Sequence, residues 1–231
     1  MRKLGLIGGM SWVSTRTYYE HINRIVQQKA DPYASAPLLI ESLDFSKLYA
    51  VREQNGWDRA TELLSDSAKH LEAGGAEMII IAANSMHKVY DAVAGAVQVP
   101  ILHIAECVGE KMKQDGVTAA ALFGTGNVMT ESFYRRRLVA HGIDLLPPDM
   151  ENVEQLDRII YDELMVGKVT RIAERALKTM ITVTEQEGAE AIVLACTELE
   201  LVVDVDANVL PIYDSTRIHA ERAAEWILGG P

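Results

Sequence analysis

Cys196 is the residue of this chain whose chemical type and position best suit catalysis. It ends a short apolar run and is followed directly by Thr197 and Glu198, which predicts a thiol in a small turn at the end of a buried strand. Backbone N–H groups in such a turn can lower the pKa of a thiol and favour the reactive thiolate. A buried, inert cysteine is the alternative interpretation, and it is the one that fits Cys107 inside a predicted helix.

Histidines offer a second source of acid and base chemistry. His219 lies in a C-terminal segment predicted to return towards Cys196, so we expect it to support the thiol. A Cys–His pair could also serve a hydrolase. Because His87 and His103 have neither HxH nor HExxH spacing, the sequence predicts no metal site.

Met10 and Ser11 lie in a glycine turn after the first predicted strand, in the stretch GLIGGMSWVST. Backbone N–H groups at the start of the following helix could cradle an anion there. An ordinary tight turn, with Ser11 or Ser14 as the helix N-cap, is the alternative. The turn lacks the GxGxxG spacing of a dinucleotide site, so NAD binding is not predicted.

Further polar residues follow other predicted strands. Asn84 and Ser85 come after AEMIIIAA, and Thr125 comes after TAAALFG. Ligands of α/β proteins bind at the carboxyl ends of parallel strands, so these side chains could donate to a carboxylate. Turn formation or helix capping is the commoner role for such residues. Arg52 and Lys168 are the cations expected near the same site, although surface charges of this kind are usually solvated.

Composition limits the classes of protein to which the chain can belong. Of its 231 residues, 48% are hydrophobic and 24% are charged, which is typical of a globular protein with a sizeable core. A net charge of -11 with scattered basic residues argues against nucleic-acid binding. No apolar run approaches the roughly 20 residues of a spanning helix, so no membrane partner is expected. Two cysteines without a CxxC pair indicate no disulfide framework, and the cytoplasm is the expected location.

Short apolar runs alternate with segments of helical periodicity, which is typical of βα units around a parallel sheet. An internal repeat, GGAEMIIIAANS at residues 74–85 and EGAEAIVLACTE at residues 187–198, superposes without a gap. A phrase shared by chance is the alternative to duplication. Duplication predicts two similar lobes, residues 1–100 with 206–231 and residues 101–205, with a ligand cleft between them.

Six segments of the chain form a distinctive set. They are GLIGGMSWVSTRTYY, AANSMHK, FGTGNVMTESFYRRRL, IIYDEL, GAEAIVLACTELELVV and LPIYDSTRIHAE. In this order, along essentially the whole chain, they resemble the aspartate/glutamate racemase family, in particular its broad-specificity amino-acid racemase branch. The resemblance implies two flavodoxin-like lobes with parallel sheets, related by a pseudo-twofold axis, and an active site in the cleft between them. It also implies a homodimer that racemises a small amino dicarboxylate without pyridoxal phosphate or another cofactor.

The resemblance implies roles for single residues as well. Two cysteines of the family face opposite sides of the substrate Cα, where one removes a proton as a thiolate and the other returns one as a thiol. Cys196 matches the second-lobe cysteine. The positions predicted to bind the substrate are Met10, Ser11, Asn84, Ser85, Thr125, Thr197 and Glu198, with Arg52 and Lys168 for a side-chain carboxylate.

Ala83 is the position at which the chain departs from the family. The family pattern CNT is matched by Ala83, Asn84 and Ser85, and the internal repeat independently aligns Ala83 with Cys196. Alanine cannot exchange a proton, so we expect impaired or one-sided racemisation, with water, Ser85 or another group as the opposing donor. The alternatives are a single-cysteine decarboxylase or other lyase of the same superfamily, a non-catalytic binder of a small dicarboxylate, and a substitution introduced at residue 83.

Overall fold

The computed structural model describes residues 1–48 and 56–230. The chain divides into two compact units, one formed by Met1–His103 with His219–Pro231 and the other by Ile104–Ile218. Each unit contains a four-stranded parallel sheet with helices between its strands. The predicted α/β class is therefore confirmed.

The first unit is built on a sheet with strand order β2-β1-β3-β4. Its elements are β1 (Leu4–Gly8), α1 (Trp12–Lys29), β2 (Leu38–Ser42), α2 (Gly56–Ala73), β3 (Met78–Ile81), α3 (Tyr90–Ala94) and β4 (Ile101–Leu102), with 3-10 helices at Phe45–Lys47 and Ser85–Val89. All pairings are parallel. Parallel neighbours need crossover connections, and α1, α2 and α3 lie in those connections.

The third strand of this sheet is covered on both faces. Ile79 and Ile81 belong to a core cluster that includes residues of α2 and α3. Met78 and Ile80 point the other way, into a cluster with residues of α1 and of the C-terminal helix. Successive side chains of a strand alternate between faces, so a continuous apolar run is what a doubly covered strand requires.

The second unit repeats this plan with strand order β6-β5-β7-β8. Its elements are α4 (Ile104–Gln114), β5 (Ala119–Gly124), α5 (Gly126–Thr130), α6 (Ser132–Ala140), β6 (Asp144–Leu145), α7 (Met150–Arg158), α8 (Arg171–Gln186), β7 (Ala191–Ala195) and β8 (Ile212–Asp214), with a π-helix at Ile159–Glu163 and 3-10 helices at Leu164–Val166 and Thr197–Leu201. The helix α9 (Ser215–Ile227) follows. No described helix is long and apolar enough to cross a bilayer.

The boundary between the units differs from the one predicted at residue 206. Residues 206–218 lie in the second unit rather than with the first lobe. The reason is strand pairing, because β8 forms a parallel pair with β7 through Ile212 to Asp214. A three-residue strand carries too short a pattern for its sheet to be assigned from sequence.

The two halves of the internal repeat have the same local structure. Gly75 and Gly188, which follow α2 and α8, both adopt the left-handed conformation, with φ of 86° and 99°. The carboxylate of Glu77 accepts the backbone N–H of Lys3 at 2.8 Å, next to the start of β1. Glu190 accepts the N–H of Thr118 at 2.9 Å, next to the start of β5. The repeated Gly-Ala-Glu phrase thus ends a helix and caps the neighbouring strand in both units.

Candidate active site

Residues 83 and 196 occupy equivalent places in the two units. Cys196 follows β7 directly, and Ala83 lies two residues beyond the end of β3. Both strands are third in the order of their sheets. Because the gapless repeat aligns the same two residues, sequence and topology agree on the equivalence. The first unit therefore has a methyl group where the second has a thiol.

Cys196 belongs to a buried turn that pairs its thiol with a carboxylate. The sulfur atom donates to Oε2 of Glu198 over 3.2 Å, and the hydroxyl of Thr197 donates to the same oxygen over 2.7 Å. Cys196 is 8% exposed and Glu198 is 3% exposed. The 3-10 helix Thr197–Leu201 begins at the next residue and brings the carboxylate back towards the sulfur.

Burial raises the pKa of the Cys196 thiol well above its ordinary value, and the negative charge of Glu198 raises it further. The backbone N–H of Glu198 acts in the opposite direction, with a smaller effect than burial. The turn amide thus acts in the predicted direction, but desolvation and the neighbouring carboxylate outweigh it, so the pKa of this thiol is raised rather than lowered. Near neutral pH Cys196 is a thiol, the form that donates a proton.

The turn after β5 is occupied by polar groups of the protein itself. The hydroxyl of Thr125 donates to Oδ1 of Asn127 over 2.6 Å, and the N–H of Gly126 donates to Oδ1 of Asp157 over 2.9 Å. The carboxylate of Asp157, in α7, thus accepts a hydrogen bond from a backbone amide of this turn. Thr125, a predicted substrate-binding residue, belongs to the same turn. Asp157 also contributes to the raised pKa of the Cys196 thiol. Asp157 was not predicted from the sequence, because a helical pattern does not indicate which turn a residue of the helix contacts.

Asn84 is a buried polar residue of the first unit that lacks partners. It is 3% exposed, and neither its amide nitrogen nor its amide oxygen has a hydrogen-bond partner among the described residues. A buried polar group left unsatisfied costs about 1–3 kcal/mol, so such groups call for an explanation in terms of bound water or ligand. Ser85 follows it, half-buried, at the start of the 3-10 helix Ser85–Val89.

The glycine turn after β1 caps a helix. Ser11 is the N-cap of α1, and its hydroxyl accepts the N–H of Ser14. The N–H of Gly9 donates to the hydroxyl of Thr15 over 2.7 Å, so it is used within the turn. The side chain of Met10 is buried in the core, at 4% exposure. These contacts agree with the capping interpretation of Ser11, and they leave the N–H of Gly9 engaged rather than directed at an anion.

His219 lies in the first unit with both ring nitrogens in use. Its Nδ1 is 2.9 Å from the hydroxyl of Tyr18, and its Nε2 is 3.2 Å from the carbonyl oxygen of Leu102. Both ring nitrogens are thus engaged by other groups, and a supporting role of His219 towards Cys196 stays a prediction. The chain passes into the first unit between Ile218 and His219, inside α9, which a sequence motif does not reveal.

Three histidines that look isolated in the sequence form a buried cluster. The ring centroid of His87 lies 4.5 Å from that of His103 and 6.0 Å from that of His219. Nδ1 of His87 is 2.9 Å from the carbonyl oxygen of Ala83. Within the described part of the chain, no group of three or more histidine, cysteine or acidic residues is arranged to hold a metal. The cluster therefore packs as rings and supports the backbone after β3.

We expect His219 to make the protein sensitive to mild acid. Burial, followed by the nearby His87, lowers the pKa of His219 to about 3, against about 6.5 in an unfolded chain. The unfolded state therefore binds the extra proton as pH falls below about 6.5, and stability is lost. Between pH 7 and pH 5 the free energy of unfolding should fall by about 2 kcal/mol more in the wild type than in His219→Gln.

Urea unfolding of both proteins at the two pH values measures this difference. His70→Gln, a change at an exposed histidine of the same unit, is the matched control and should keep the wild-type pH dependence. An identical pH dependence in His219→Gln and the wild type would contradict the prediction.

The two predicted cations have different outcomes. Arg52 lies outside the described residues. Lys168 is exposed, and its backbone N–H donates to the carbonyl oxygen of Glu163, closing the turn at Gly167. Its role towards a side-chain carboxylate stays a prediction.

The fold defines a class of protein, the α/β proteins with two units that each contain a four-stranded parallel sheet and with equivalent residues at the ends of the third strands. Comparison with known proteins identifies the family. The model of the Asp/Glu/hydantoin racemase family matches residues 7–223. The chain therefore belongs to this family.

Individual relatives agree with this assignment. A Yersinia pestis protein assigned as an Asp/Glu racemase is 39% identical, with a TM-score of 0.90 over 99% of this chain and 100% of the other. PH1733, an aspartate racemase homologue from Pyrococcus horikoshii OT3, is 34% identical, with a TM-score of 0.85 over the same shares. The broad specificity amino-acid racemase RacX of Bacillus subtilis (strain 168) is 27% identical over 173 residues, 74% of each chain. These relatives support a racemase, and hence an isomerase.

Proposed function

We propose that this protein is a cofactor-independent amino-acid racemase of the aspartate/glutamate type, in which Cys196 exchanges the proton on Cα and the exchange is one-sided. The observation that carries the proposal is the pair of equivalent strand ends, with a thiol at Cys196 and a methyl group at Ala83. A thiol can hold or release a proton, whereas a methyl group cannot. The protein thus has one acid/base group where the resemblance to the family implies two.

The chemistry explains why polar donors must accompany the thiol. An amino-acid Cα–H is a very weak acid, so its removal requires donors aimed at the charge that develops on the substrate carboxylate. Asn84 has an amide buried without partners, three residues after β3, which suits this task. We assign it, with Ser85 as a further donor, to the substrate carboxylate, whereas the hydroxyl of Thr197 donates to the carboxylate of Glu198.

Proton exchange in deuterium oxide tests the proposal. L- and D-aspartate and L- and D-glutamate are incubated separately with the protein, and loss of the Cα proton signal is followed by NMR. We expect one enantiomer to exchange faster than it inverts, because a single thiol serves one side of Cα. Absence of Cα exchange for all four amino acids would contradict a racemase acting on this substrate class.

A single-cysteine decarboxylase is a second candidate, favoured by one observation. Cys196 is protonated near neutral pH, since burial raises its pKa, and it has no partner thiol at residue 83. A lone thiol suffices to protonate the carbanion left when a substituted malonate loses carbon dioxide. Release of carbon dioxide from a malonate, without Cα exchange in amino acids, would select this function. A rise in Tm with aspartate, without either reaction, would indicate a binder.

Asn84→Leu separates the ligand role of the amide from a structural one. The two side chains have similar size, and removing a buried amide without partners should raise the free energy of unfolding by about 1 kcal/mol. Ligand binding should weaken, so the rise in Tm produced by aspartate should shrink. Urea unfolding and thermal melts with and without aspartate measure both effects. A variant that is destabilised by more than about 1 kcal/mol would show that the amide is satisfied in the native protein.

A further inference from the structure

Lys88 is a cation of the first unit that lies one helical turn from a predicted substrate-binding residue. It belongs to the 3-10 helix Ser85–Val89. Because such a helix has about three residues per turn, side chains three positions apart lie one above the other. Met86 and Val89 are one such pair, and both are buried in the core. Ser85 and Lys88 are the other, and both are half-buried, so the lysine extends from the same face as the predicted donor.

Trp57 holds the ammonium group of this lysine. Nζ of Lys88 lies 4.4 Å from the centroid of the Trp57 ring, within the range of a cation–π interaction. Trp57 itself packs against the core cluster that contains Met86 and Val89, so the ring is fixed relative to the 3-10 helix. A lysine that is already held in one place loses less conformational freedom when it binds a ligand.

The contact between Lys88 and Trp57 lies where ligands of α/β proteins bind. The 3-10 helix Ser85–Val89 follows the carboxyl end of β3, and Trp57 is in the first turn of α2, which follows β2 in the chain. The strands β2, β1 and β3 are parallel, so their carboxyl ends share one edge of the sheet. This edge is the usual ligand edge of such a sheet.

Charge gives this lysine a task. A net charge of -11 repels a dicarboxylate at long range, so local cations must offset it. Asn84 and Ser85, which we assign to one carboxylate, are neutral donors, and a second carboxylate that leaves water needs a charged partner. One turn of a 3-10 helix rises by about 6 Å, which is comparable with the span between the two carboxylates of an extended glutamate.

We propose that Lys88 binds the side-chain carboxylate of the substrate, held in place for this task by Trp57, and thereby determines specificity for acidic amino acids. This inference rests on the proposed function, because it assumes that Asn84 and Ser85 hold the other carboxylate. Neither Lys88 nor Trp57 was predicted from the sequence, since a lysine in a helical pattern resembles a solvated surface charge.

Lys88→Met tests the inference, because methionine keeps an apolar side chain against Trp57 and removes the charge. For Cα exchange of aspartate we expect KM to rise by roughly 10-fold with kcat unchanged, since the lost ion pair is made in the ground state and in the transition state alike. Calorimetric titration measures binding directly. The affinity for aspartate should fall, whereas the affinity for asparagine, which has no charge on its side chain, should not change.

Three further variants serve as comparisons. Lys88→Arg keeps a cation that can stack on Trp57 and should retain most of the affinity for aspartate. Trp57→Leu keeps the lysine but removes the ring that holds it, so it should weaken aspartate binding less than Lys88→Met does. Lys69→Met is the matched control, because Lys69 is an exposed lysine of α2 that pairs with Asp66, and it should bind aspartate as the wild type does.

The outcomes separate this inference from the proposed function. If Lys88→Met binds aspartate as well as the wild type, or loses affinity for aspartate and asparagine equally, the inference is overturned. A wild type that binds aspartate no more tightly than asparagine overturns it as well. If the wild type exchanges no Cα proton, the racemase proposal fails. Calorimetry then decides the role of Lys88 alone, since a selective loss of aspartate affinity in Lys88→Met supports it.

Discussion

Cys196→Ser should reduce Cα exchange by roughly 1000-fold or more while the protein still binds its ligand. A serine hydroxyl is a far weaker acid than a thiol, so it cannot supply the base that a thiolate provides. The replacement is nearly isosteric, and the hydroxyl can still donate to Oε2 of Glu198, as the thiol does over 3.2 Å. The fold should therefore persist. NMR exchange measures the loss, and the rise in Tm with aspartate measures retained binding.

Cys107→Ser is the matched control for this variant. It makes the same replacement at a buried cysteine of the same unit, within α4. We expect it to keep wild-type exchange, because the thiol of Cys107 has no part in the mechanism. Exchange that survives in Cys196→Ser would remove this residue from the role of base, whatever the control shows.

Ala83→Cys should convert one-sided exchange into two-way racemisation. The resemblance to the family implies that residue 83 is the second acid/base position, and a thiol there supplies the missing donor. We expect the rate of inversion to rise by roughly 100-fold, the usual contribution of one acid/base group. Ala83 is 5% exposed, so the larger side chain costs some stability, but its carbonyl oxygen keeps the contact with Nδ1 of His87. Circular dichroism or chiral chromatography measures inversion directly.

Ala83→Ser separates the effect of the thiol from the effect of a larger side chain. It adds an atom of similar reach without an ionisable thiol, so inversion should remain at the wild-type rate. The double variant Ala83→Cys, Cys196→Ser carries the test further, because it moves the thiol of the proposed site from residue 196 to residue 83. We expect its exchange to favour the enantiomer that the wild type exchanges least. If inversion stays unchanged in Ala83→Cys, residue 83 is not a vacant acid/base position.

Much of the fold could be predicted from the sequence because its signals are local. Apolar runs such as residues 78–82 and 191–195 require burial on both faces, and the glycines that end α2 and α8 mark where each βα unit closes. The internal repeat predicted that both units share a plan, and the identical strand orders confirm it. The sequence did not predict that residues 206–218 belong to the second unit, because the position of the short edge strand β8 depends on its pairing with β7.

The sequence alone determined the reactive groups and their alignment. It identified the thiol of Cys196, matched that thiol to the methyl group of Ala83 through a gapless repeat, and located Asn84 beside it. These are properties of residue type and order, so they hold before the chain folds. Only the tertiary structure decided the state of the thiol and the partner of His219. Burial and the carboxylate of Glu198 raise the pKa of Cys196. The hydroxyl of Tyr18, 201 residues away in the chain, lies within hydrogen-bonding distance of a ring nitrogen of His219. Desolvation and long-range contacts exist only in the folded chain, because each depends on the atoms that surround a group in space rather than on its neighbours in the sequence.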